Sequence, residues 1–579
     1  MKAVKMTDYF RNVAKALLAL GTVSAQIWTP IVAATITVNS TSDGGAGSLR
    51  QAIQNAAPGD TINFSVTGVI TLTSGELLIA ENLSIVGPGA SSLAVSGLSN
   101  SRVLEISSNV SVSISALTIR DGHATDGALS GASGEDGGGI YNAGTLTLMN
   151  CVVSNNTAGN GHGYVSGFGL SGGAGGFGGG IYNAGTLTLT SCTVSGNAAG
   201  AGGPSAQAFW PVGGAGGLGG GIYNAGMLAL GSSCVSSNAG GAGGNGGSVG
   251  GPGGGGGGVY NAGNLRITEC TLSSNIGGLG GKGGTRVRLF TSDGEPGGSG
   301  GDGAGVYNNG SLTLIACTLS GNAAGAGGLG GYGLARGGVG GNGGNGGGVC
   351  SAAGAAVAIV RSSLAALDQA GAAGVGGRAG AQGHGVQAAS GSSGLGPDLY
   401  GAFTSQGHNL LGQADGSTRL TNGVNGDLVG SADHPLNPKI GRLQNNGGPT
   451  LTMALQNRSP ALEAGDDGLL RAPFNLSTDQ RGLPRKSGTH VDIGAFEFQV
   501  APQPTQAQSQ IIGMKCLPNG QFRLTVVTWP ETTVRIEASS DLHTWTAMTD
   551  FTTAVDGSYE FIDVSAPLYP QRFYRVVTP

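Results

Sequence analysis

The feature of this sequence that most restricts its fold is a repeated cassette. Residues 178–192 read GGGIYNAGTLTLTSC, and residues 137–151 read GGGIYNAGTLTLMNC. Five copies keep a tyrosine and, 15 residues later, an asparagine: Tyr141, Tyr182, Tyr223, Tyr260 and Tyr307, then Asn156, Asn197, Asn238, Asn275 and Asn322. The tyrosines are 37 to 47 residues apart, so all variation in length falls outside that step. Each copy therefore contains one rigid unit and one variable insertion.

Within the rigid unit, apolar and hydroxylated residues alternate. In TLTLTSCTVSGN, residues 186–197, Leu187 and Leu189 point to one side of an extended chain and the threonines to the other. The sequences IYN and TVS supply two more short strands. Three strands in a coil of roughly 20 residues, repeated in tandem, predict an all-β parallel β-helix. One coil cannot bury its inner face, but a stack of coils can.

The repeated polar and thiol residues fit this solenoid. We expect Asn183 and Asn197 to lie at turns, where asparagine tolerates left-handed backbone and its amide can form a ladder along the axis. We interpret the cassette cysteines as small apolar core residues, with disulfides between stacked coils as the alternative. These cysteines are Cys151, Cys192, Cys234, Cys270 and Cys317.

The insertions are rich in glycine, of which the chain has 118 residues. About five such loops are expected to leave one side of the cylinder. Because glycine loses the most backbone entropy on ordering, the first interpretation is a mobile fringe. The Gly-Gly-Ala and Gly-Gly-Asn rhythm also allows packed polyproline-II-like segments that hydrogen-bond side by side.

Residues 1–34 carry the pattern of an export signal. Four basic residues precede the apolar run 16–23, and groups of small residues suited to cleavage follow at 23–25 and 32–34; the basic residues are Lys2, Lys5, Arg11 and Lys15. A short amphipathic helix is the alternative. No later stretch has 18 apolar residues, so no transmembrane helix is expected in the mature chain. We therefore expect it to be extracellular or at the cell surface, associated with an outer membrane.

The remaining chain divides into five further regions. Residues 35–120 are expected to form an N-terminal cap and the first coils, with an amphipathic helix that buries Leu49, Ala52, Ile53 and Ala56. Residues 121–390 are the repeats and 391–500 the final coils. A Pro- and Gln-rich linker, 501–510, leads to 511–579, whose alternation predicts a small antiparallel β-sandwich.

Three motifs carry a resemblance to a known family: SLRQAIQNAAPGDTINF, the GGGIYNAGTLTLTSCTVSGN coils, and NNGGPTLTMALQNRSPALEAGDD followed by TDQRGLPR and VDIGAFEFQ. Over about residues 35–500, the chain resembles bacterial exported proteins with a choice-of-anchor Q region, and its coils resemble those of polymorphic outer-membrane proteins. The resemblance implies a right-handed, pectate-lyase-like superhelix at a bacterial surface, generally without catalysis. The long glycine-rich loops depart from the usual pattern of this family.

The charged residues of the sequence are few and do not form the patterns expected for nucleic-acid binding or polysaccharide cleavage. A net charge of -5 and a pI near 5.8 leave no basic face for nucleic acid, which is not an expected partner. Polysaccharide-cleaving β-helix enzymes need clustered carboxylates, usually with calcium. Between residues 137 and 350 the acids are only Glu269, Asp293, Glu295 and Asp302, at positions that do not recur. An exposed ion pair of Arg266 with Glu269 is the simplest interpretation of that pair.

The richest polar cluster lies near the end of the predicted solenoid: Glu463, Asp466, Asp467, Asp479, Arg481, Asp492 and Glu497. A metal site is conceivable, but we favour a structural role in which Arg481 pairs with Asp479 or Asp492. The segment GGSGGD, 297–302, matches one copy of a calcium motif that works by repetition. Calcium is thus a minor alternative, and no catalytic, cofactor-binding or metal residue is assigned.

Histidines and tryptophans add no motif. The seven histidines show no metal-binding spacing and are expected in loops or at the surface: His123, His162, His384, His408, His434, His490 and His543. Trp529 and Trp545 are expected in the core of the C-terminal module, with sugar stacking as the alternative. The sequence thus predicts an exported, non-catalytic, structural or adhesive scaffold, with a surface polysaccharide or a host or neighbouring cell as its partner. The competing class is a β-helix polysaccharide lyase or glycoside hydrolase.

Overall fold

Three long parallel sheets of 11, 10 and 11 strands form the main body of the chain. The computed structural model describes residues 33–163, 171–206, 211–287, 292–380, 385–499, 509–528, 532–554 and 557–577. Each complete coil supplies one short strand to each sheet, and every strand pairs in parallel with the equivalent strand one coil away. The predicted parallel β-helix is therefore confirmed.

We name the sheets after the cassette at 178–197. The leucine sheet comprises Thr35–Val38, Thr61–Phe64, Leu83–Val86, Ser111–Ser115, Thr145–Met149, Thr186–Thr190, Met227–Gly231, Asn264–Thr268, Ser311–Ile315, Val357–Arg361 and Thr404–Ser405. The tyrosine sheet comprises Leu77–Ile79, Leu104–Ile106, Ile140–Asn142, Ile181–Asn183, Ile222–Asn224, Val259–Asn261, Val306–Asn308, Val349–Ser351, Leu399–Ala402 and Ser417–Thr418. The valine sheet comprises Gly68–Thr71, Leu93–Ser96, Thr118–Arg120, Val152–Ser154, Thr193–Ser195, Cys234–Ser236, Thr271–Ser273, Thr318–Ser320, Leu364–Ala365, Leu410–Leu411 and Leu428–Val429.

Like side chains stack in register through the interior. Ile181, Leu187 and Leu189 are fully buried, and Leu187 pairs with the corresponding leucine of the coils on both sides. Each such side chain contributes about 1.5–3 kcal/mol by leaving water. On the outer side of the tyrosine sheet, the five cassette tyrosines form one stack with ring centroids 4.9 to 5.2 Å apart. The cassettes are therefore aligned along one axis.

A residue with left-handed backbone forms the corner between the leucine and valine sheets. These residues have φ between 46° and 53°: Asn150, Ser191, Ser232, Glu269, Ala316 and Ser362. The residue after each corner is Cys151, Cys192, Ser233, Cys270, Cys317 or Ser363. The expectation of five equivalent cysteines is wrong for Cys234, which lies one residue later and pairs with Thr193 and Thr271 in the valine sheet. All seven cysteines are free thiols, so the disulfide alternative is not realised.

Buried asparagines form two ladders along the solenoid. At the end of the valine sheet, each Nδ2 donates to Oδ1 of the next coil over 2.8 to 3.0 Å, through Asn156, Asn197, Asn238, Asn275, Asn322 and finally Asp368. A second ladder, with distances of 2.7 to 2.8 Å, connects Asn142, Asn183, Asn224, Asn261 and Asn308. The predicted amide ladders are confirmed, but neither Asn183 nor Asn197 is among the left-handed residues.

The glycine-rich insertions form an ordered bundle of two layers. In seven successive coils an outgoing segment leaves after the valine sheet and a return segment leads back to the tyrosine sheet. The outgoing segments are 123–130, 157–163, 198–206, 239–247, 276–284, 323–333 and 369–380, and the return segments are 131–137, 171–178, 211–219, 248–256, 292–303, 334–346 and 385–396. For the described residues of the insertions, the side-by-side packing alternative is confirmed and the interpretation as a mobile fringe is wrong.

Hydrogen bonds in the bundle recur at every third residue. Gly202 N and Ser205 N donate to the next outgoing segment over 2.8 and 2.9 Å, whereas Gly200 N and Gly203 N donate to the return layer over 2.9 and 2.8 Å. This period matches the three residues per turn of polyproline II. The bundle therefore consists of threefold segments that run parallel within each layer and antiparallel between the two layers, with hydrogen bonds in both directions.

Close backbone contact explains why two of every three residues are glycine. A Cβ added to Gly200 would lie 1.9 Å from the Gly159 carbonyl oxygen, and one added to Gly217 would lie 2.0 Å from that of Gly176. The third position of each triplet faces outward, as the exposed Ala242 does. The Gly-Gly-X rhythm is thus a packing requirement.

Segments outside the coils cover the first end and one side of the solenoid. Helix α1, Leu49–Asn55, buries Leu49, Ala52 and Ile53 against the first coils, and Ser48 Oγ caps it by accepting from Gln51 N. At the other end, residues 440–499 form a strap that runs back over the outer face of the valine sheet and includes a 3-10 turn, Asp467–Leu470. Its contacts fall on four successive coils: Gly494 N to Ser362 O, Ala495 N to Thr318 Oγ1, Thr271 Oγ1 to Gln480 Oε1, and Thr450 Oγ1 to Ser232 O.

Two smaller structures complete the fold. A hairpin of Thr285–Val287 and Ser292–Gly294 lies at the end of one glycine-rich insertion. The C-terminal module has two antiparallel sheets, Gln510–Cys516, Phe522–Val527 and Ser558–Asp563 in one, and Thr533–Ser539, Thr546–Thr552 and Phe573–Val577 in the other, with a 3-10 turn at Ala566–Leu568. Both sheets supply its core, which contains Leu524, Val526, Val534, Ile536 and Phe551. The predicted antiparallel sandwich is confirmed.

Candidate functional site

The outer face of the leucine sheet is a long surface open to solvent. Alternation along each strand buries Leu187 and Leu189 and turns Thr186 and Thr188 outward. Parallel register then places equivalent outward residues in two rows: Ser111, Thr145, Thr186, Met227, Asn264 and Ser311, and Ser113, Thr147, Thr188, Ala229, Arg266 and Thr313. The rows carry mostly hydroxyl groups, spaced by the distance between adjacent strands.

Two depressions lie along these rows. One, of 230 Å³, is lined by residues of the early coils from Gly59 to Thr147, and the other, of 380 Å³, by residues of the middle coils from Thr186 to Thr313. Arg266 is the one charged residue among those lining the two depressions. We call these two depressions the hydroxyl groove. Hydroxyl and amide side chains can both donate to and accept from the hydroxyls of a ligand.

The strap forms a side wall beside the middle of this groove. The Phe474 ring centroid lies 6.0 Å from Arg266 Cζ and 4.6 Å from Arg361 Cζ. Arg361 is held in turn by Asp466, with Nη2 2.5 Å from Oδ2. The sequence showed that the threonines face outward, but the aromatic wall depends on the return of the strap and has no local signal.

The polar cluster predicted near residues 463–497 separates into contacts that fix the strap. Arg481 pairs with Asp479 rather than Asp492, with Nη2 2.6 Å from Oδ2, and its guanidinium lies 3.6 Å from the Phe496 ring centroid. The Asp492 carboxylate accepts from the backbone N–H groups of Glu463 and Phe498. The structural interpretation is therefore the one the contacts support.

The other members of the cluster face different partners. Asp466 pairs with Arg361, Asp467 pairs with Lys486 over 2.7 Å, and Glu497 accepts from the backbone of Ser487 and Asp492. Burial raises the pKa of Asp492 to about 6 and that of Glu497 to about 8. In the described ranges, no group of three or more His, Cys, Asp or Glu side chains is arranged to hold a metal ion.

Glu269 and Arg485 occupy a dry position under the strap. The expected surface ion pair of Arg266 with Glu269 is wrong, because Glu269 is a left-handed corner residue only 6% exposed. Its Oε1 has no hydrogen-bond partner, and burial raises its pKa to about 7. Arg485 is fully buried, donates from Nη2 to the carbonyl oxygen of Gly494 over 2.7 Å, and leaves Nε and Nη1 unpartnered. These groups are inaccessible to a substrate.

The remaining candidates also have structural surroundings. The segment GGSGGD belongs to a return segment of the bundle, and Asp302 accepts from Asn345 N of the next coil. His123 contacts Asp126 and His408 contacts the carbonyl oxygen of Ala464, whereas His384 lies outside the described residues.

The expectation that the tryptophans lie in the core of the C-terminal module is wrong for Trp545, the one of the two that the structure describes. Trp545 is half-buried outside the module core, and its ring centroid lies 4.3 Å from Arg575 Cζ. Trp529 lies outside the described residues.

A buried acid pair ends the first asparagine ladder. Asp368 Oδ1 accepts from Asn322 N and Nδ2, its Oδ2 has no partner, and its backbone N–H donates to Asp398 Oδ1 over 3.1 Å. Burial, followed by the neighbouring carboxylate, raises the pKa of Asp368 well above its usual value, and burial raises the pKa of Asp398 to about 7. A protonated Asp368 therefore takes the place of an asparagine at the end of the ladder, where one oxygen accepts from Asn322 and the other has no partner.

Replacing Asp368 with asparagine is expected to stabilise the protein, and more so at pH 8 than at pH 5. The folded acid retains a proton that the unfolded chain releases above about pH 4, so its contribution to stability falls as pH rises toward neutrality. The amide does not titrate, and its expected gain at pH 8 is about 1–3 kcal/mol in urea unfolding. Asp427→Asn is the control and should lose stability, because both Asp427 oxygens already accept hydrogen bonds. An equal gain at both pH values would contradict the protonation of Asp368 in the folded protein.

Among the described residues, no helix has the length and apolar character to cross a membrane. No protein-family model, curated protein or solved structure matches the chain. Assignment of function thus depends on the chemistry of the faces described above.

Proposed function

We propose that this chain is an exported, non-catalytic scaffold that adheres to an extended polysaccharide through the hydroxyl groove. The observation that carries the proposal is the pair of outward rows along one open face, in which hydroxyl side chains fill both positions in four of the six coils. Met227 and Ala229 interrupt the rows in one coil, and Asn264 and Arg266 in the next. A polymer with repeated hydroxyl groups can bond to such rows at many points. The Phe474 ring beside the groove adds an apolar surface for sugar C–H groups.

The absence of an acid pair along the groove supports adhesion over cleavage. Glycoside hydrolysis uses two carboxylates that flank the bond to be broken. No carboxylate lines either depression. The carboxylates of the strap bond to its own backbone and cationic side chains, except that of Asp466, which pairs with Arg361 of the leucine sheet. The groove can therefore hold a sugar chain without the groups that the competing enzyme class requires.

The proposal also covers where the protein acts and which family it belongs to. The basic and apolar N-terminal pattern supports export to the cell surface or beyond, and the three motifs support a right-handed β-helix of the choice-of-anchor Q type. The motif in residues 445–498 has a clear physical role in this fold, because it forms the strap that covers the valine sheet. A surface polysaccharide, of the cell itself or of a neighbour, is the proposed partner.

We expect the double variant Thr186→Val/Thr188→Val to bind a neutral polysaccharide at least about fivefold more weakly than the natural chain. Valine keeps the shape and strand preference of threonine but removes the hydroxyl, and each lost hydrogen bond is worth about 1 kcal/mol. Binding is measured by affinity electrophoresis across a panel of neutral glucans and xylans. Thr546→Val, at an exposed strand position of the C-terminal module, is the matched control.

Two outcomes would overturn this proposal. Release of reducing sugars from the panel, with or without calcium, would favour the enzyme class. Unchanged affinity of the double variant for a polysaccharide that the natural chain binds would remove the groove from the interface.

A further inference from the structure

A further cavity, of 470 Å³, lies on the glycine-rich bundle, apart from the two depressions of the hydroxyl groove. It is at the far ends of three successive outgoing segments. Its side chains are Lys282, Leu329, Tyr332, Val375, Arg378 and Gln387. Its floor contains the backbone of Gly330, Gly376 and Gly377. The cavity is separate from the hydroxyl groove, and no residue lines both.

Hydrogen bonds fix the positions of these side chains in advance. Gly283 N donates to Leu329 O, and Gly330 N donates to Val375 O, both over 2.9 Å, so the segments that carry Lys282, Leu329 and Val375 are bonded side by side. One turn further along, about 9 Å away at polyproline-II rise, Gly333 N donates to Arg378 O over 3.2 Å, which sets the segments that carry Tyr332 and Arg378 side by side. The cavity therefore has a rigid backbone.

The glycines in the floor of the cavity cannot be replaced by residues with a side chain. A Cβ on Gly376 would lie 2.0 Å from the Ala388 carbonyl oxygen, and one on Gly330 would lie 2.0 Å from that of Gly338. A ligand can therefore approach the main chain closely between the projecting side chains. This arrangement favours a flat ligand over a bulky one.

The charges of this cavity differ from those of its surroundings. Lys282 and Arg378 are the only charged residues in the outgoing segments from 198 to 380, and both line the cavity. Neither forms an ion pair with a described residue, and no acid is among the lining residues. In a chain of net charge -5, this is a local cationic site with both charges free to meet an anion.

Apolar and aromatic groups lie between the two cations. Tyr332 is 50% exposed and Leu329 is 51% exposed, so each presents an apolar surface on which a ligand can pack. A ligand that satisfies the whole cavity must carry separated negative charges and an apolar ring face between them. Sugar rings with acidic substituents have both properties.

We propose that this cavity binds an acidic polysaccharide, whose anionic groups pair with Lys282 and Arg378 while a sugar ring stacks on Tyr332. Carboxylate and sulfate groups share the required charge and hydrogen-bonding chemistry. The site goes beyond the proposed neutral-polysaccharide groove, because it lies on a different face and selects for charge. It makes the glycine bundle a binding surface as well as a covering of the solenoid.

The test uses the full chain and three fluorescently labelled probes: polygalacturonate, dextran sulfate and neutral dextran. We expect Lys282→Gln/Arg378→Gln to raise the dissociation constant for an acidic probe about tenfold or more, and to weaken the salt dependence of binding. Tyr332→Ala should weaken the same binding, whereas Tyr332→Phe should preserve it. The two acidic probes distinguish carboxylate from sulfate as the preferred group.

Two control variants separate this site from its alternatives. Arg336→Gln removes a cation from a return segment that does not line the cavity, and it should leave binding unchanged. Thr186→Val/Thr188→Val should also leave polygalacturonate binding unchanged, so a failure of the hydroxyl groove would not be mistaken for a failure here. The inference would be overturned if Arg336→Gln lost as much affinity for the acidic probes as Lys282→Gln/Arg378→Gln does. It would also be overturned if the natural chain bound neither acidic probe.

Discussion

Substitution of Gly278 by alanine should lower the free energy of unfolding of the bundle by about 3 kcal/mol or more. A Cβ at this position would lie 1.9 Å from the Gly241 carbonyl oxygen and 2.6 Å from Gly254 N. Both neighbours are backbone, so neither can rotate away. Separating the segments would also strain the 2.8 Å hydrogen bonds that Gly278 forms with Gly254 and Gly301.

The measurement should resolve local as well as global stability. Amide hydrogen exchange across residues 239–303 would show faster exchange in the variant segment and its hydrogen-bonded neighbours, and urea unfolding would give the total loss. Gly231→Ala is the matched control, because nothing lies within 4 Å of its added Cβ, and it should be neutral or slightly stabilising. Ala242→Ser tests an outward position and should also be neutral. If Gly278→Ala had native exchange rates, the packed bundle would be refuted.

Removal of the Asn238 side chain is expected to destabilise the solenoid by roughly 4 kcal/mol. Asn238 is fully buried, and its Oδ1 accepts from Asn197 N and Nδ2 over 3.0 and 2.9 Å. Its Nδ2 donates to Asn275 Oδ1 and to Val194 O, each over 3.0 Å. Asn238→Ala would leave several of these buried groups unpaired, at about 1–3 kcal/mol for each.

Two companion variants make this prediction specific. Asn264→Ala, at an exposed position of the leucine sheet, should change stability by less than about 0.5 kcal/mol. Asn238→Asp should fold best at low pH, where a protonated carboxyl can donate as the amide does, and should lose stability as pH rises. Urea unfolding at pH 5 and pH 8 measures all three. An Asn238→Ala protein as stable as Asn264→Ala would show that the ladder contributes little.

The sequence was informative where the pattern is local. Period-two alternation identified the strand around Leu187 and Leu189, and the constant step from Tyr182 to Asn197 identified the rigid unit of each repeat. The spacing of Leu49, Ala52 and Ile53 likewise identified helix α1. Each signal arises because neighbouring residues must turn their apolar side chains to one face.

The errors arose where a single residue shift or a distant partner decided the outcome. Cys234 was assigned to the cysteine row because its cassette looked equivalent, but the left-handed corner at Ser232 places Ser233 there instead. Glu269 was expected to pair with nearby Arg266, yet the strap buries it beside Arg485. Neither result follows from spacing, because the partners are brought together only by folding.

By itself, the sequence determined a stacked β-helix with aliphatic interior rows, since coil length and side-chain alternation act within one repeat. Only the tertiary structure decided that the glycine-rich segments are ordered and that the strap covers the valine sheet. Glycine has no side chain, so a glycine-rich sequence has no apolar or polar pattern that identifies the segment it packs against. Its order comes from backbone hydrogen bonds between segments of different coils, and these exist only when the coils are stacked.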